Sequence, residues 1–439
     1  MSRANVAVDK DTWIAVLKCL APTPIRRIVF GKDGDDNDDD HHFDFFQMDW
    51  FQTLSDPFFL RWMYTFSKTS FFPEQGYADK QQQMLRFTDY AVKDMVQLFE
   101  DRNDNMSQAA GYNSRGSLAV SYDYPPKPNM TTSANNLERN KHLEKTDEVL
   151  QVEPSLVRQE RHPTSAKFEY NVKSASSGRF TKELARRCQS NPEWNVKFLY
   201  NTKVQGVIDD KEGDGSEVRR IVKLRTNRGV VQLPRDAHVV VAAGAWTPHI
   251  LALMDIYAPV YPLKGYAMSI SAKEVLRENP NLTDQDLPSR IVADKFMYTS
   301  RLGDEIRITS IGEFSGWNTQ PSSSVDKKFR REAIRQFPQL KNYVEKATTY
   351  CGHRPYVSDG ILLLGAMDTH KNLYVSCGPG SNGWKLALGS GDLISRLVSG
   401  QTTDEIRKEL GFDPSIFSPA GRSVYSPMFA KLCRARWDW

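Results

Sequence analysis

No stretch of this sequence approaches the roughly 18 to 20 consecutive apolar residues needed to span a bilayer. The first twenty residues carry Arg3, Asp9, Lys10, Asp11 and Lys18 where a secretory leader would be apolar. Neither a transmembrane segment nor export is therefore expected of the chain as it stands. Cysteine is sparse: Cys19, Cys188, Cys351, Cys377 and Cys433 are odd in number, scattered, and never spaced Cys-x-x-Cys. That pattern argues against a disulfide framework and against a zinc site, and no metal is expected. It suits a reducing compartment, cytoplasmic or mitochondrial. Excess charge of either sign is missing too, since 58 basic and 54 acidic residues leave a formal net charge of +4. No nucleic-acid partner is expected from such a balance. Internal repeats are absent, and no nucleophile-histidine-acid triad or metal cluster stands out. What remains is a chain of 439 residues, 40% hydrophobic and 26% charged, long enough for two or three ordinary domain-sized units.

Local patterns suggest the following order. Residues 11–20 form an amphipathic helix. The acidic run 33–42 is a solvated loop, because it lacks the spaced glycine and closing glutamate of a calcium-binding loop. Residues 43–72 are dense in phenylalanine, tyrosine and tryptophan and read as a packed helical layer. Tyr77–Glu100 places Leu85, Val92, Met95 and Phe99, with Met84, Ala91 and Leu98 beside them, at helical spacing, which predicts a long one-sided helix. Proline, serine, threonine and asparagine make 121–140 a loop, and Ser176 caps a further helix. Four short strands, at 195–200, 202–208, 221–226 and 230–233, make a meander. The run 238–246 is continuously apolar and ends in small residues, as expected of a parallel strand buried on both faces. Strands at 268–270, 291–293 and 306–310 belong to a second sheet, and a helix over 325–337 stops at Pro338.

The most informative stretch is 372–391. Leu373–Cys377 reads as a strand, Gly378, Pro379, Gly380 and Gly383 follow within six residues, and an apolar-periodic segment from Trp384 reads as a helix. Glycines at such a corner let backbone approach a ligand, and the first helical N–H groups favour an anion or an electron-rich carbonyl.

Four segments together carry a resemblance. They are Val239-Val240-Val241-Ala242-Ala243-Gly244-Ala245-Trp246-Thr247, Tyr261-Pro262-Leu263-Lys264-Gly265-Tyr266, Gly352-His353-Arg354-Pro355 through Asp359-Gly360, and Gly378 to Trp384. In order and spacing, the chain resembles the FAD-dependent amine oxidoreductases of the D-amino-acid oxidase superfamily, most closely the small-subunit type of D-amino-acid dehydrogenase. The resemblance implies an α/β plus α+β fold. A discontinuous Rossmann-like FAD-binding domain would be drawn from 1–20, 165–255 and 345–400. A substrate domain built on an antiparallel sheet and helices would come from 21–164 and 256–344, with 401–439 as a C-terminal tail.

By the same resemblance, Ser2 and Asn5 lie beside the flavin, Val204 turns its backbone to the adenine, and Ala243 and Gly244 are the close-approach point. Gly378, Gly380, Gly383 and Trp384 form the turn at the flavin's pyrimidine end. Arg354 holds the substrate carboxylate, and Tyr266 supplies an active-site hydroxyl. The implied reaction moves a hydride from the Cα of a D-amino acid to flavin N5, with a quinone or similar acceptor and peripheral membrane association as partners. A planar guanidinium suits a carboxylate, and a helix N-terminus suits the negative charge that develops on the ring. Alternatives from the same residues are an oxidase of glycine- or sarcosine-type amines and a non-catalytic remnant that binds a partner.

One family feature has no counterpart. An opening strand, Gly-x-Gly-x-x-Gly and helix, with an acidic residue for the ribose, should precede the first matching segment. Without that first βαβ unit, this exact polypeptide is expected to bind FAD weakly or not at all.

Overall fold

Alternating strands in the middle of the chain and glycine breaks near its end produce sheets of very unequal size. The computed structural model describes residues 46–48, 53–72, 74–101, 104–122, 140–211, 218–294 and 297–436. The expected helix at 11–20, the acidic loop, most of the loop at 121–140, and Ser2 and Asn5 lie outside the described residues.

In chain order the strands are β1 (Phe46–Met48), β2 (Ser117–Ser121), β3 (Asn140–Leu143), β4 (Ser165–Glu169), β5 (Val204–Lys211), β6 (Arg219–Thr226), β7 (Gly229–Gln232), β8 (Val239–Val241), β9 (Ile256–Tyr257), β10 (Val260–Ser271), β11 (Ile291–Asp294), β12 (Met297–Leu302), β13 (Glu305–Phe314), β14 (Tyr350–Val357), β15 (Leu363–Ala366), β16 (Leu373–Cys377) and β17 (Val424–Tyr425). The helices that matter here are α1 (Pro57–Phe71), α2 (Tyr77–Glu100), α3 (Ser177–Ser190), α4 (Ser323–Gln336), α5 (Gly383–Val398) and α6 (Pro427–Arg436).

The large sheet has nine strands in the order β14-β10-β13-β12-β11-β2-β4-β3, with β1 pairing beside β13. Its core packs α4 and its neighbours on one face, where Phe329, Phe337, Val292 and Ile308 are fully buried. On part of the other face lies α1, capped by Asp56, whose carboxylate accepts from Phe58 N at 3.0 Å. Phe58, Phe59, Trp62 and Phe66 of α1 pack on Tyr261, Leu263 and Phe314. Over Pro57–Phe71 the aromatic-rich segment is a packed helical layer, as its composition predicts, although Tyr64 and Phe72 stay exposed; Phe46–Met48 is instead a strand, and 43–45 and 49–52 lie outside the described residues.

A second, small sheet holds β15, β16 and β8, with β8 parallel to β16. It is backed by α5, which crosses α2 closely enough that a Cβ on Gly389 would lie 2.5 Å from the Ala91 methyl. The helix α2 has the expected bounds, but its buried face is Met84, Phe87, Ala91, Met95 and Phe99, while Leu85 is exposed.

Some expectations need correction. Residues 195–200 form no strand and are exposed throughout, and the meander has three strands, β5-β6-β7. The strand β8 is not buried on both faces, since Val240 is 41% exposed. A strand is fixed by its neighbours, and among the described residues β8 has only β16 beside it. Strands β4 and β14, assigned from sequence to the FAD-binding part, belong to the nine-stranded sheet. The helix α2, assigned to the substrate domain, packs on α5. Residues beyond 400 are integrated rather than a tail: Ile406, Phe412 and Phe417 are buried against α2 and α5, and β17 pairs with β9.

Candidate active site

Strand β10 alternates its side chains between two faces, so Leu263 and Gly265 share one and Lys264 and Tyr266 the other. Arg354 of β14 stands opposite Leu263. Its guanidinium lies over Gly265, where an added Cβ would be 2.5 Å from a guanidinium nitrogen. Glycine at 265 is therefore what makes room for the arginine. Burial lowers the pKa of Arg354 from its ordinary value, while Tyr356 and Tyr298 act in the opposite direction. Tyr298 shares this face through the pairs Tyr298–Thr309 and Thr309–Ala267, and burial raises its phenol pKa.

Tyr356 leads from Arg354 to the glycine turn. It bridges to Pro379, and its hydroxyl is 2.5 Å from that of Ser381. Gly378 and Gly380 have φ of +85° and +54°, and added Cβ atoms would stand 2.1 Å from a Val357 methyl and 2.9 Å from the Tyr356 ring. These two glycines let the turn lie directly on β14. Gly383 begins α5, and the Trp384 ring packs with Phe99 and Phe180 at 5.9 and 5.2 Å.

Ala243 precedes the 3-10 turn Gly244–Trp246 and packs in the core around β8 and β16. Gly244 differs from the other site glycines: its φ is +56° and nothing lies within 4 Å of an added Cβ. Its carbonyl accepts from Cys377 Sγ at 3.1 Å, which ties the turn to the end of β16. Burial pushes the Cys377 thiol up to about 11. Thus Ala243, Gly244, Gly378, Gly380 and Gly383 come together at the ends of β8 and β16, beside the edge strand that bears Arg354. Val204 instead opens β5 in the separate meander, paired with Thr226.

Tyr266 does not join the group around Arg354. Its hydroxyl donates to Glu313 and accepts from Ser322 N at 2.9 Å, and its ring faces Phe329 at 6.3 Å. Burial and the Glu313 carboxylate push its pKa well up. It lies on the face of the sheet opposite Arg354, contrary to the expectation that the two share a site; the tyrosines on the Arg354 face are Tyr356 and Tyr298. Tyr356 was accessible to sequence reasoning, because two residues after Arg354 on a strand is the same face.

The flavin expected from the resemblance can be tested against these residues. The open space at Gly244 and the helix start behind Gly380 fit the flavin end. At the nucleotide end, the described residues offer no strand-glycine-helix unit on the free side of β8. Among them there is also no cluster of histidine, cysteine and carboxylates suited to a metal, and no helix long and apolar enough to cross a membrane.

Residues 63–397 match the family model described as FAD dependent oxidoreductase. A D-amino acid dehydrogenase from Granulibacter bethesdensis is 32% identical over 224 residues, covering 51% of this chain and 48% of that protein. Another from Allorhizobium ampelinum is 28% identical over 333 residues, covering 75% and 72%. The chain spans about half the length of the first curated relatives it matches, at 48%, 57% and 56%. These relatives are bacterial, which lends no support to a mitochondrial location. In fold, glycine oxidase from Geobacillus kaustophilus superposes with a TM-score of 0.57 at 20% identity, covering 76% of this chain and 82% of that one. L-proline dehydrogenase from P. horikoshii gives 0.53 at 18% identity, covering 75% and 84%.

Proposed function

Because the chain belongs to the FAD-dependent oxidoreductase family, we propose that it oxidises the amine-bearing carbon of an amino acid, with D-amino acids as the substrate class. The observation that carries this reading is the half-buried Arg354 guanidinium over Gly265, on the same sheet face as Tyr356 and Tyr298 and next to the glycine turn. A guanidinium there binds a carboxylate through two parallel hydrogen bonds and so fixes the direction of the substrate Cα. Tyr356, on the same face, ties the strand that bears Arg354 to the glycine turn through Ser381. FAD, when bound, supplies the acceptor for the hydride from Cα. The start of α5 presents N–H groups without intrahelical acceptors, which favour negative charge at the turn.

The substrate class follows the dehydrogenases at about 30% identity, and by the same reading the electrons pass to a quinone-type carrier. The test is turnover with excess FAD on D-alanine, L-alanine, glycine and sarcosine, with either oxygen or an artificial dye as acceptor. D-alanine with the dye should be fastest. Preference for glycine or sarcosine with oxygen would replace this reading by an amine oxidase.

A further inference from the structure

The face of β10 opposite Arg354 carries a charged group where a core residue is expected. Lys264 is fully buried, its ammonium 2.8 Å from Glu313 Oε2 and 3.0 Å from the Gln320 carbonyl. Glu313 also accepts from the Tyr266 hydroxyl, which in turn accepts from Ser322 N at 2.9 Å. Burying an ion pair in place of apolar side chains is seldom the more stable choice, which directs attention to what the pair holds. Here it holds both ends of one loop. Glu313 lies just before Ser315, and Gln320 and Ser322 close the segment. Within it Gly316, at φ +58°, turns the chain back.

At its apex the loop reaches the other half of the site. Trp317 Nε1 donates to the Ala245 carbonyl at 2.9 Å. Its ring stands edge-on to His249 at 4.7 Å and to Tyr261 at 5.3 Å. Ala245 is the middle residue of the turn Gly244–Trp246, whose first residue has open space beside its Cα. The same turn touches the Arg354 strand from the other side, where the Trp246 ring meets His353 at 5.3 Å.

We propose that Lys264, Glu313 and Trp317 are positioning residues: the buried ion pair fixes the loop 315–322, and Trp317 fixes the orientation of the Ala245 peptide and hence of Gly244 relative to Arg354. Only the identity of the ligand at Gly244 rests on the oxidoreductase reading. The loop is a mechanical tie between the nine-stranded sheet and the β8–β16 sheet.

Amide hydrogen exchange on the full chain, without flavin or substrate, tests this directly. Trp317→Phe keeps a ring and removes the donor, and should raise exchange at 244–247 about tenfold with the rest of the chain unchanged. Lys264→Met should raise exchange at both 315–322 and 244–247, and Lys264→Arg should restore both. Unchanged exchange at 244–247 in Trp317→Phe would overturn the proposal. So would a Lys264→Met effect spread evenly over the chain, or one that Lys264→Arg leaves in place. If Lys264→Met does not fold, Trp317→Phe still decides. Because no substrate is present, failure here is distinct from failure to oxidise an amino acid.

Discussion

The two sheets that meet at the site differ in how they end. In the nine-stranded sheet the strand nearest the site, β14, is covered in part: the Trp246 ring packs on His353 and Pro379 bridges to Tyr356, while Tyr350 at its start is exposed. Its interior valines are fully buried, as at Val292. In the small sheet, β8 is a run of three valines with one neighbour among the described residues, and Val240 is 41% exposed. Residues 195–200 show the same thing, since Leu199 and Tyr200 are 64% and 61% exposed and pair with no strand among the described residues. An apolar, unpaired edge is a surface that ordinarily has a partner. In the proposed reading the substrate half is formed by described residues, while among them no strand-glycine-helix unit for the nucleotide half stands beside β8.

The sharpest way to break this contrast is flavin retention. The 439-residue polypeptide, mixed with FAD and passed through gel filtration, should lose it; stoichiometric retention would mean that the nucleotide half is complete. Next in size is Arg354→Met. Loss of two charge-assisted hydrogen bonds to a carboxylate should lower kcat/KM at saturating FAD by roughly a hundredfold, or about 3 kcal/mol. An effect under about threefold would remove Arg354 from the site.

A smaller comparison uses one residue type in both sheets. Val292→Ala, in the large sheet, should cost about 2 kcal/mol in denaturant unfolding. Val240→Ala, on the open edge, should stay within about 0.5 kcal/mol. Equal costs would show that β8 is covered after all.

The smallest effect is in pH. Burial holds His249 and His353 down to about 3 and about 4, so both are neutral in the fold at neutral pH. Above about pH 6.5 the unfolded chain is neutral at these positions as well, and they contribute no pH dependence. Between there and about pH 4 the unfolded chain takes up protons that the fold refuses. Thermal stability should therefore fall as pH drops from 7 to 4, and the fall should be shallower in His353→Gln. An identical slope in that variant would remove His353 from the account.

Local patterns foretold what local interactions decide. The bounds of α2, the Ser176 cap of α3 and the β16-turn-α5 corner were all legible, because helical period, capping chemistry and glycine spacing lie within a few residues of each other. The phase of α2 was not, since Phe87 rather than Leu85 faces α5, and only the partner helix determines that. Residues 195–200 carry good strand formers, yet a strand needs a neighbour and none stands beside them among the described residues. Lys264 looked like one residue of a family segment; its partner Glu313 is on another strand, so its burial could not be read locally. Tyr266 and Arg354 both pointed to the site, but their register on β10 and β14 puts them on opposite faces. Tyr356, two residues after Arg354 on β14, shares its face by the period of two.

The most direct test of the site is the visible flavin spectrum of the protein at saturating FAD, recorded without oxygen before and after D-alanine. The geometry around Arg354 predicts that the oxidised flavin band bleaches with D-alanine and persists in Arg354→Met. A band that D-alanine leaves unchanged in the parent protein, at FAD concentrations shown to saturate it, would contradict the assignment of this site to amino-acid oxidation.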